Sequence, residues 1–516
     1  VNPDDKRYEK WIGKEIEVEG LLGKFKLKVI GDDFVDPEFG TGVVKVTPAH
    51  DPNDFEMGKR HNLEIKQVID MTGRLTELAG PYAGLKVNKA REVIAGDLHE
   101  KGLIDHIDRE YIHRVITCYK CKRDLEPTVF PNWFIRVKDL KARVVEVVKN
   151  DEILFFPSKF KKQMLDWLDV MHDWPISRQI VWGIQIPVWY AVNKETENVY
   201  VWWLDADKKL QSGSVGSFLK KGISLDSIEK GLQKLMAKTN PQASYIISEE
   251  RPKEGDYLPE TDTFDTWFSS GQWPLVTLKE DEFKARFPSD FMGTLSDILK
   301  FWVSRMIMFS LYLYDEIPFK NVYLWSMVAD GKGQKMSKSK GNVINPVVYI
   351  DKYGADAFRA ALFFGLSQGA KVNLSEDKVR AMRNFANKIW NIGRFIKENI
   401  AAESGSPTKS GMTDDIVVEL DGEVEKIVKQ VTKDMDSYKL SRAFDTLYEF
   451  LWHRLADYYI EALKDEIRSG NIEAWEKLKK AYEQVLVLLH PYMPFVTEAV
   501  WKEFRGAKSS ILDERI

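Results

Sequence analysis

The stretch DGKGQKMSKSKGNVINP, residues 330–346, combines dense positive charge with a flexible backbone. Lysines and serines alternate in its middle, at Lys335, Ser337, Lys338, Ser339 and Lys340. Lysine ammonium groups suit phosphate oxygens, and glycines let a loop close over a ligand and reopen. The residue order does not match the Walker A pattern. The composition predicts either a loop that stabilises a polyphosphate transition state or a solvated surface loop.

The regions on both sides of this loop indicate the fold class. Before it, apolar runs of strand and helix type alternate from residue 261 to 329, which predicts a parallel sheet in an α/β domain. The alternation of Ile184, Ile186, Val188 and Tyr190 predicts another strand. After the loop, amphipathic spacing predicts a C-terminal all-α part, with helices at 376–397, 416–435, 440–465 and 472–489.

The composition limits the class of protein. The 516 residues are 44% hydrophobic and 30% charged, which is typical of soluble globular proteins. The net charge of −4 means that a nucleic-acid site would have to be a local basic surface. Two cysteines predict a reducing compartment, so we expect a cytoplasmic protein. The apolar run from Phe301 to Tyr314 contains Arg305 and predicts no membrane span.

Seven motifs follow one another along the chain: RQIVWGIQIPVWY, DTFDTWFSS, DILKFWVSRMIMF, KMSKSKGNVINP, YGADAFR, NFANKIWNIGRF and LLHPYMPFVTEAVW. Together they resemble the valyl-tRNA synthetases, a class I aminoacyl-tRNA synthetase family with isoleucyl and leucyl relatives. The resemblance covers nearly the whole chain. It implies a Rossmann-like parallel sheet without its first strand, an inserted β-rich editing domain and a C-terminal helical domain.

The resemblance also implies domain limits. Residues 1–128 correspond to the editing domain without its N-terminal strand, and their short runs EIEVEGLL, FKLKVI and GTGVVKVTPAH predict strands. Residues 129–375 correspond to the catalytic domain, with an insertion at about 191–260. Residues 376–516 correspond to an anticodon-binding domain.

The activity implied by the resemblance is ATP-dependent ligation of valine to tRNA(Val) through valyl-adenylate. It assigns catalysis to Lys335 and Lys338, and ATP contacts, with Mg²⁺, to Lys335, Ser337, Lys338, Ser339 and Asp297. It assigns the amino-acid pocket to Trp267 and Ile298. A flat ring and a branched aliphatic chain can form a dry pocket for a small apolar group, although each could equally belong to an ordinary core.

Residues 40–64 resemble the family's editing site for mischarged threonyl-tRNA. An apolar valine pocket cannot strongly reject threonine, which differs by a hydroxyl, and this family is a known instance of that limit. The resemblance assigns Lys45 to the tRNA end, Thr47 and Asp51 to the side-chain pocket, and Asp54 to the α-amino group. Asp51 before Pro52 also predicts a helix N-cap, and both roles can hold together.

The sequence also leads to expectations about metal binding, tRNA contacts and oligomeric state. Cys118 and Cys121 form a Cys-x-x-Cys, but structural zinc takes about four ligands and the chain has no other cysteine, so we expect no zinc. Five basic residues of the helix predicted at 376–397 are expected to contact tRNA, namely Lys378, Arg380, Arg383, Lys388 and Arg394. A solvated face over a core stripe is the alternative. We expect a monomer.

One family signature has no match. Class I synthetases carry a His-x-Gly-His motif near the N-terminus, and none of the eight histidines has that spacing. We therefore expect a sequence truncated at its N-terminus, or one complemented by a second chain, that forms no valyl-adenylate alone. Two alternatives stay open, an isoleucyl-tRNA synthetase and a non-catalytic tRNA-binding protein derived from a synthetase.

Overall fold

The computed structural model describes residues 1–70, 72–108, 110, 112, 115–118, 121–238, 243–336, 341–366, 369–399 and 411–514. Its contacts divide the chain into two compact units. The first contains Val1–Asn132 and Gln185–Asp262, and the second contains Trp133–Ile184 and Thr263–Ile516. The whole segment expected as an insertion, 191–260, therefore falls in the first unit with the N-terminal residues. The domain limits inferred from the resemblance stay predictions.

The strands are short in both units. In chain order they are β1 (Glu15–Gly20), β2 (Gly23–Lys28), β3 (Phe134–Ile135), β4 (Leu154–Phe156), β5 (Trp174–Pro175), β6 (Ser177–Arg178), β7 (Val188–Ala191), β8 (Val199–Leu204), β9 (Leu210–Ser214), β10 (Leu232–Lys238), β11 (Tyr245–Ile247), β12 (Tyr257–Pro259), β13 (Thr263–Phe264), β14 (Ser289–Leu295), β15 (Phe319–Trp325), β16 (Val328–Ala329) and β17 (Val372–Asn373).

The longest helices belong to the C-terminal part. In chain order the α-helices are α1 (Pro52–Arg60), α2 (Val87–Glu100), α3 (Lys138–Lys149), α4 (Lys159–Val170), α5 (Val215–Lys220), α6 (Leu225–Gly231), α7 (Thr266–Ser270), α8 (Trp273–Val276), α9 (Glu280–Arg286), α10 (Ser304–Tyr314), α11 (Pro346–Tyr353), α12 (Ala355–Ala361), α13 (Glu376–Glu398), α14 (Gly411–Asp436), α15 (Leu440–Glu449), α16 (Ile460–Arg468), α17 (Ile472–Leu489) and α18 (Pro494–Arg505). Two π-helical segments, Leu299–Val303 and Phe450–Tyr459, precede α10 and α16.

The first unit contains small antiparallel sheets. β1 pairs with β2, and two three-stranded sheets have the orders β11-β7-β12 and β10-β8-β9. Helix α1 begins after Asp51, whose carboxylate accepts the N–H groups of Asn53 and Asp54, so the predicted N-cap is confirmed.

Two strand predictions in this unit were wrong in part. Residues 40–50 contain no strand, because none of the described residues pairs with their backbone in a strand ladder, and alternation alone cannot supply a hydrogen-bonded neighbour. The alternation from Ile184 becomes a strand only at Val188, where β7 gains partners on both sides.

The second unit is built around a parallel sheet of order β14-β15-β4. This confirms the α/β prediction from the alternating pattern. On one face of the sheet, Phe155, Val322 and Leu324 are buried in a core that also includes apolar residues of α3, α4 and α10. The short parallel pair β16 and β17 flanks the lysine-rich stretch.

Helices α13 to α18 form an all-α part with its own core, as predicted. The apolar stripe of α13 is fully buried, with Val379, Met382, Phe385, Ile389 and Ile392 at helical spacing. Helix α17 covers the predicted range 472–489. The range 440–465 is less regular than predicted, because the π-helical segment Phe450–Tyr459 joins α15 to α16. Among the described residues, no helix has the length and hydropathy to cross a bilayer.

The His490 side chain links α17 to α18 and predicts a pH dependence. Its Nδ1 lies 2.8 Å from Thr497 Oγ1, and burial lowers the pKa of the imidazole from its ordinary 6.5. On acidification the unfolded chain binds this proton before the folded chain, so stability is lost as pH falls below about 6.5. We expect the urea midpoint of the helical part, followed by circular dichroism, to fall between pH 8 and pH 5.5.

The variant His490→Asn keeps a hydrogen-bonding group beside Thr497 but cannot titrate. Its midpoint is expected to change less over the same pH range. An equal pH dependence in the variant and the parent protein would show that His490 does not contribute.

Candidate functional site

The carboxyl end of β14 carries two of the predicted site residues. A 3-10 turn, Ser296–Ile298, follows β14 directly, so Asp297 and Ile298 lie at the edge where the parallel strands end. Ligands of open α/β sheets bind at this edge. The Asp297 carboxylate lies 3.4 Å from the Lys335 ammonium, and the two side chains are 40% and 62% exposed. Such an exposed pair contributes little to stability, so a polyphosphate can compete for the lysine.

Asp330 shapes the loop that presents Lys335. Its carboxylate accepts the N–H groups of Lys332 at 3.0 Å and Gln334 at 2.8 Å, and the amide of Asn342 at 2.9 Å. The Asn342 amide also donates to the Lys335 carbonyl at 3.3 Å. The hydrogen bond from Asn342, followed by those from the backbone, holds the pKa of Asp330 below its ordinary value. The start of the loop is therefore a closed turn.

The remaining lysine-loop residues lie outside the described residues; they are Ser337, Lys338, Ser339 and Lys340. Their roles stay predictions. The sequence analysis missed Asp330 and Asn342 as organisers of the loop. The signal was the Asp-Gly-x-Gly run, in which an aspartate side chain closes a turn on backbone N–H groups two and four residues ahead.

The two predicted pocket residues lie beside the π-helical segment Leu299–Val303. We call this segment the aromatic turn because it contains Phe301 and Trp302. The Trp267 ring stacks on Phe301, with centroids 5.8 Å apart and planes at 24°. Phe301 belongs to the π-helical segment that begins directly after Ile298. The Trp302 indole of the same segment donates to the Ser270 carbonyl at 2.8 Å, which ties the segment to α7. Trp267 is thus held on a rigid, largely apolar surface.

Asp265 fixes the helix that carries Trp267. The residue is the N-cap of α7 and is buried, and its carboxylate accepts the Trp267 N–H at 3.4 Å. The same carboxylate accepts the Trp174 indole at 3.0 Å and the Arg178 guanidinium at 2.8 Å. Three donors from separate elements therefore converge on one buried charge. The motif DTFDTWFSS contained this residue, but the sequence pattern did not indicate its burial.

A second buried charge, Arg305, lies close to this carboxylate. Its guanidinium lies 4.2 Å from the Trp174 ring centroid and donates to the Lys300 and Phe301 carbonyls at 2.9 and 3.0 Å. Burial lowers its pKa to about 10, against the opposing attraction of Asp265. The arginine that interrupts an apolar run in the sequence thus supports the aromatic turn under Trp267.

In the first unit, two predicted editing residues are in direct contact. The Thr47 N–H and hydroxyl both donate to Asp54 Oδ2, at 2.6 and 3.0 Å, and Asp54 is buried. Asp51 caps α1, and Lys45 is exposed.

His50, which the sequence analysis did not assign, anchors the same stretch. Its Nε2 accepts the Val68 N–H at 3.0 Å, so its Nδ1 carries the proton and donates to the Pro127 carbonyl at 3.0 Å. The backbone between Thr47 and Asp51 is therefore tied to two distant segments of the unit.

Most predicted tRNA contacts on α13 are already paired. Arg380 lies 2.6 Å from Asp377, Lys388 lies 2.8 Å from Asp457 and Arg394 lies 3.7 Å from Glu398. Burial lowers the pKa of Lys378, although Asp445 partly compensates. Arg383 is exposed, and among the described residues no acidic side chain pairs with it.

A cavity of about 370 Å³ lies between α13 and α18. Its lining combines the partly exposed Trp390 ring and Gly393 with Val500 and two ion pairs, Arg394 with Glu398 and Lys397 with Glu503. The exposed part of the Trp390 ring suits stacking with an unstacked nucleobase, while the two carboxylates offset the charge of the cations.

Near Cys118 and Cys121, the Cys118 N–H donates to the Arg123 carbonyl and the Lys122 N–H donates to the Cys118 carbonyl, both at 2.8 Å. Within the described ranges, no three His, Cys, Asp or Glu side chains come together to hold a metal ion. The expectation about zinc stays a prediction.

We predict that Asp265→Ala destabilises the second unit by about 3 kcal/mol, because Arg178 and the Trp174 indole then lose a buried acceptor and Arg305 loses a nearby opposite charge. Urea unfolding followed by tryptophan fluorescence measures the loss. The matched control is Asp290→Ala, which removes an exposed partner of Lys320 and is expected to change stability far less. Equal effects of the two substitutions would contradict the structural role of Asp265.

Comparison with known families places these features in context. Residues 15–375 match the family model described as tRNA synthetases class I (I, L, M and V), and residues 419–516 match the anticodon-binding domain of tRNA ligase. The valine–tRNA ligase of Petrotoga mobilis is 37% identical over 522 aligned residues, which cover 99% of this chain and 54% of the relative. That of Thermotoga maritima is 37% identical over 518 residues, with coverage of 99% and 54%.

The chain spans about half the length of these curated relatives. A solved methionyl-tRNA synthetase from Mycobacterium tuberculosis, bound by methionyl-adenylate, has the same fold at a TM-score of 0.50 and 14% identity. The match covers 77% of this chain and 69% of that structure. The family resemblance predicted from the motifs is confirmed.

Proposed function

Because the chain belongs to the class I tRNA synthetases of the isoleucine, leucine, methionine and valine group, we propose that it contributes to ATP-dependent ligation of valine to tRNA(Val). The observation that carries the proposal is the pairing of Asp297 with Lys335 at the carboxyl end of β14. The similarity to two valine–tRNA ligases supports valine as the substrate.

In the proposed first step, a valine carboxylate oxygen attacks the α-phosphorus of ATP. The bond from that phosphorus to the bridging oxygen breaks, pyrophosphate leaves with the electron pair, and valyl-adenylate remains. Lys335 moves from Asp297 to the developing charge on the leaving phosphates, and Mg²⁺ enters with ATP. We assign Lys338, Ser337 and Ser339 to the same phosphates. In the second step a ribose hydroxyl of tRNA attacks the valyl carbonyl, and AMP leaves.

The aromatic turn supports selection of a small apolar amino acid. Trp267 offers a flat wall held by Phe301, and Ile298 adds a branched aliphatic side chain at the same strand end. Fixed walls exclude larger side chains more effectively than mobile walls, since a rigid pocket cannot expand without losing packing. The buried Asp265 and Arg305 are positioning residues in this proposal.

We also propose that the first unit hydrolyses threonyl-tRNA. The contact between Thr47 and Asp54 supports this role, because a hydroxyl and a carboxylate can bind the threonine hydroxyl and the α-ammonium. In this proposal the Asp54 carboxylate, positioned by Thr47, is the anion that binds the α-ammonium. Asp51 serves as helix cap and pocket wall, and Lys45 faces the tRNA end.

The functional test is amino-acid-dependent ATP–pyrophosphate exchange by the protein encoded by the complete reading frame. Valine is expected to drive exchange far better than isoleucine. In that protein, Lys335→Ala should slow exchange by about 100-fold because a charge at the leaving phosphates is lost. Lys332→Ala is the matched control, since Lys332 lies exposed in the same loop, and its rate should be unchanged.

Two outcomes would decide against this proposal. Faster exchange with isoleucine would assign the protein to the isoleucyl enzymes. No exchange with any amino acid, together with tRNA binding, would favour a non-catalytic protein derived from a synthetase.

For tRNA binding we propose α13 and its cavity beside Trp390. Arg383→Ala should weaken binding and lower the salt dependence by about one counterion, because this cation is exposed and unpaired among the described residues. Arg380→Ala is the matched control, since Asp377 lies 2.6 Å from Arg380 and offsets part of its charge although the pair is exposed, and it should weaken binding less. Filter binding of tRNA(Val) at several salt concentrations measures both. An unchanged affinity in Arg383→Ala would remove this face of α13 from the tRNA site.

A further inference from the structure

The turn between α14 and α15 places one aromatic ring against the parallel sheet. α14 ends at Asp436 and α15 begins at Leu440, and Tyr438 lies between them. The Tyr438 ring centroid lies 4.7 Å from that of Phe156, 5.4 Å from Phe291 and 5.8 Å from Tyr323. One residue of the helical part thus contacts all three strands.

The three sheet rings occupy a single face. Phe156 is opposite Tyr323 in the register of β4 and β15, and Phe291 lies on the same side in β14. The neighbouring residues Phe155 and Val322 are buried on the other face, in the core with α3 and α10. Tyr438 therefore packs on the face of the sheet opposite its main core.

The backbone at Tyr438 is strained. Its φ is +54°, in the left-handed region that glycine and asparagine adopt easily and tyrosine disfavours. A residue in this conformation persists only where its surroundings compensate, and here the side chain makes three ring contacts. If this turn had no docking role, glycine would be the more stable residue at this position.

Hydrogen bonds within the helical part also hold the turn between α14 and α15 in place. The Lys439 N–H donates to the Asp434 carbonyl at 2.7 Å, and the Ser437 hydroxyl donates to the Lys433 carbonyl at 2.8 Å. The fully buried Asp434 carboxylate accepts two guanidinium N–H groups of Arg442. These hydrogen bonds therefore fix the turn that carries the Tyr438 ring.

We propose that Tyr438 is the contact through which the helical part docks on the parallel sheet and keeps its orientation. The position is close to the ligand edge: Tyr323 pairs in register with Gly293, four residues before Asp297. If the proposed function holds, the contact fixes the tRNA-binding helices relative to the adenylation site. The docking itself does not depend on that function.

Hydrogen–deuterium exchange of the purified chain, without ATP or tRNA, tests the proposal. Peptides covering residues 289–295, 319–325 and 437–449 are compared in the parent chain, Tyr438→Gly and Tyr438→Phe. Tyr438→Gly should speed exchange in all three peptides by about tenfold, since three aromatic contacts are lost while backbone strain is relieved. Tyr438→Phe keeps the ring and should remain close to the parent protein.

Lys208→Gly is the matched control. Lys208 also has a positive φ, +61°, but lies exposed in the turn after β8, so glycine there should leave exchange in its own turn equal or slower. If Tyr438→Gly behaves like this control, the docking role is refuted. Should Tyr438→Gly not fold, Tyr438→Asn removes the ring from a residue that tolerates the left-handed conformation, and unchanged exchange in that variant refutes the proposal equally.

Discussion

Parallel strands end at a common edge of their sheet, and the chemistry of the second unit depends on this constraint. β14 delivers Asp297 and Ile298 to that edge in one short turn. The loop after β16 returns to the same edge and brings Lys335 within 3.4 Å of Asp297. Residues 38 positions apart in the chain thus form one site without any direct sequence pattern between them. Helices α3, α4 and α10 pack on the sheet and hold these strand ends in place.

The second unit uses charges in two different ways. Asp265 and Arg305 are buried, and each is held by several hydrogen bonds or by an aromatic face, so neither can move without a large loss of stability. Asp297 and Lys335 are exposed and weakly paired, so they remain available to a ligand. The buried charges set the position of the Trp267 helix and the aromatic turn. Of the two exposed charges, Lys335 is the one that moves to the phosphates in the proposed reaction.

Periodicity predicted the helices well because their burial is local and repetitive. The stripe of α13 and the full extent of α17 followed from residue spacing alone. Strands were harder, since a strand needs a partner that may be far away in the sequence. Residues 40–50 had β-like composition but no strand, and the alternation from Ile184 began too early. For the cations of α13, residue identity did not show that most of them have acidic partners on α13 itself or on other helices, and their tRNA contacts stay predictions.

The sequence by itself determined the family, the order of the motifs and the helical C-terminal part, because these depend on residue identity and local spacing. Only the tertiary structure decided which charged side chains are exposed to ligands and which are buried and held by other protein groups. It paired Asp297 with Lys335, buried Asp265 between Trp174 and Arg178, and placed Tyr438 on the sheet. Each of these contacts joins residues from distant parts of the chain. Desolvation and pairing are properties of the folded surroundings, so no window of sequence contains them.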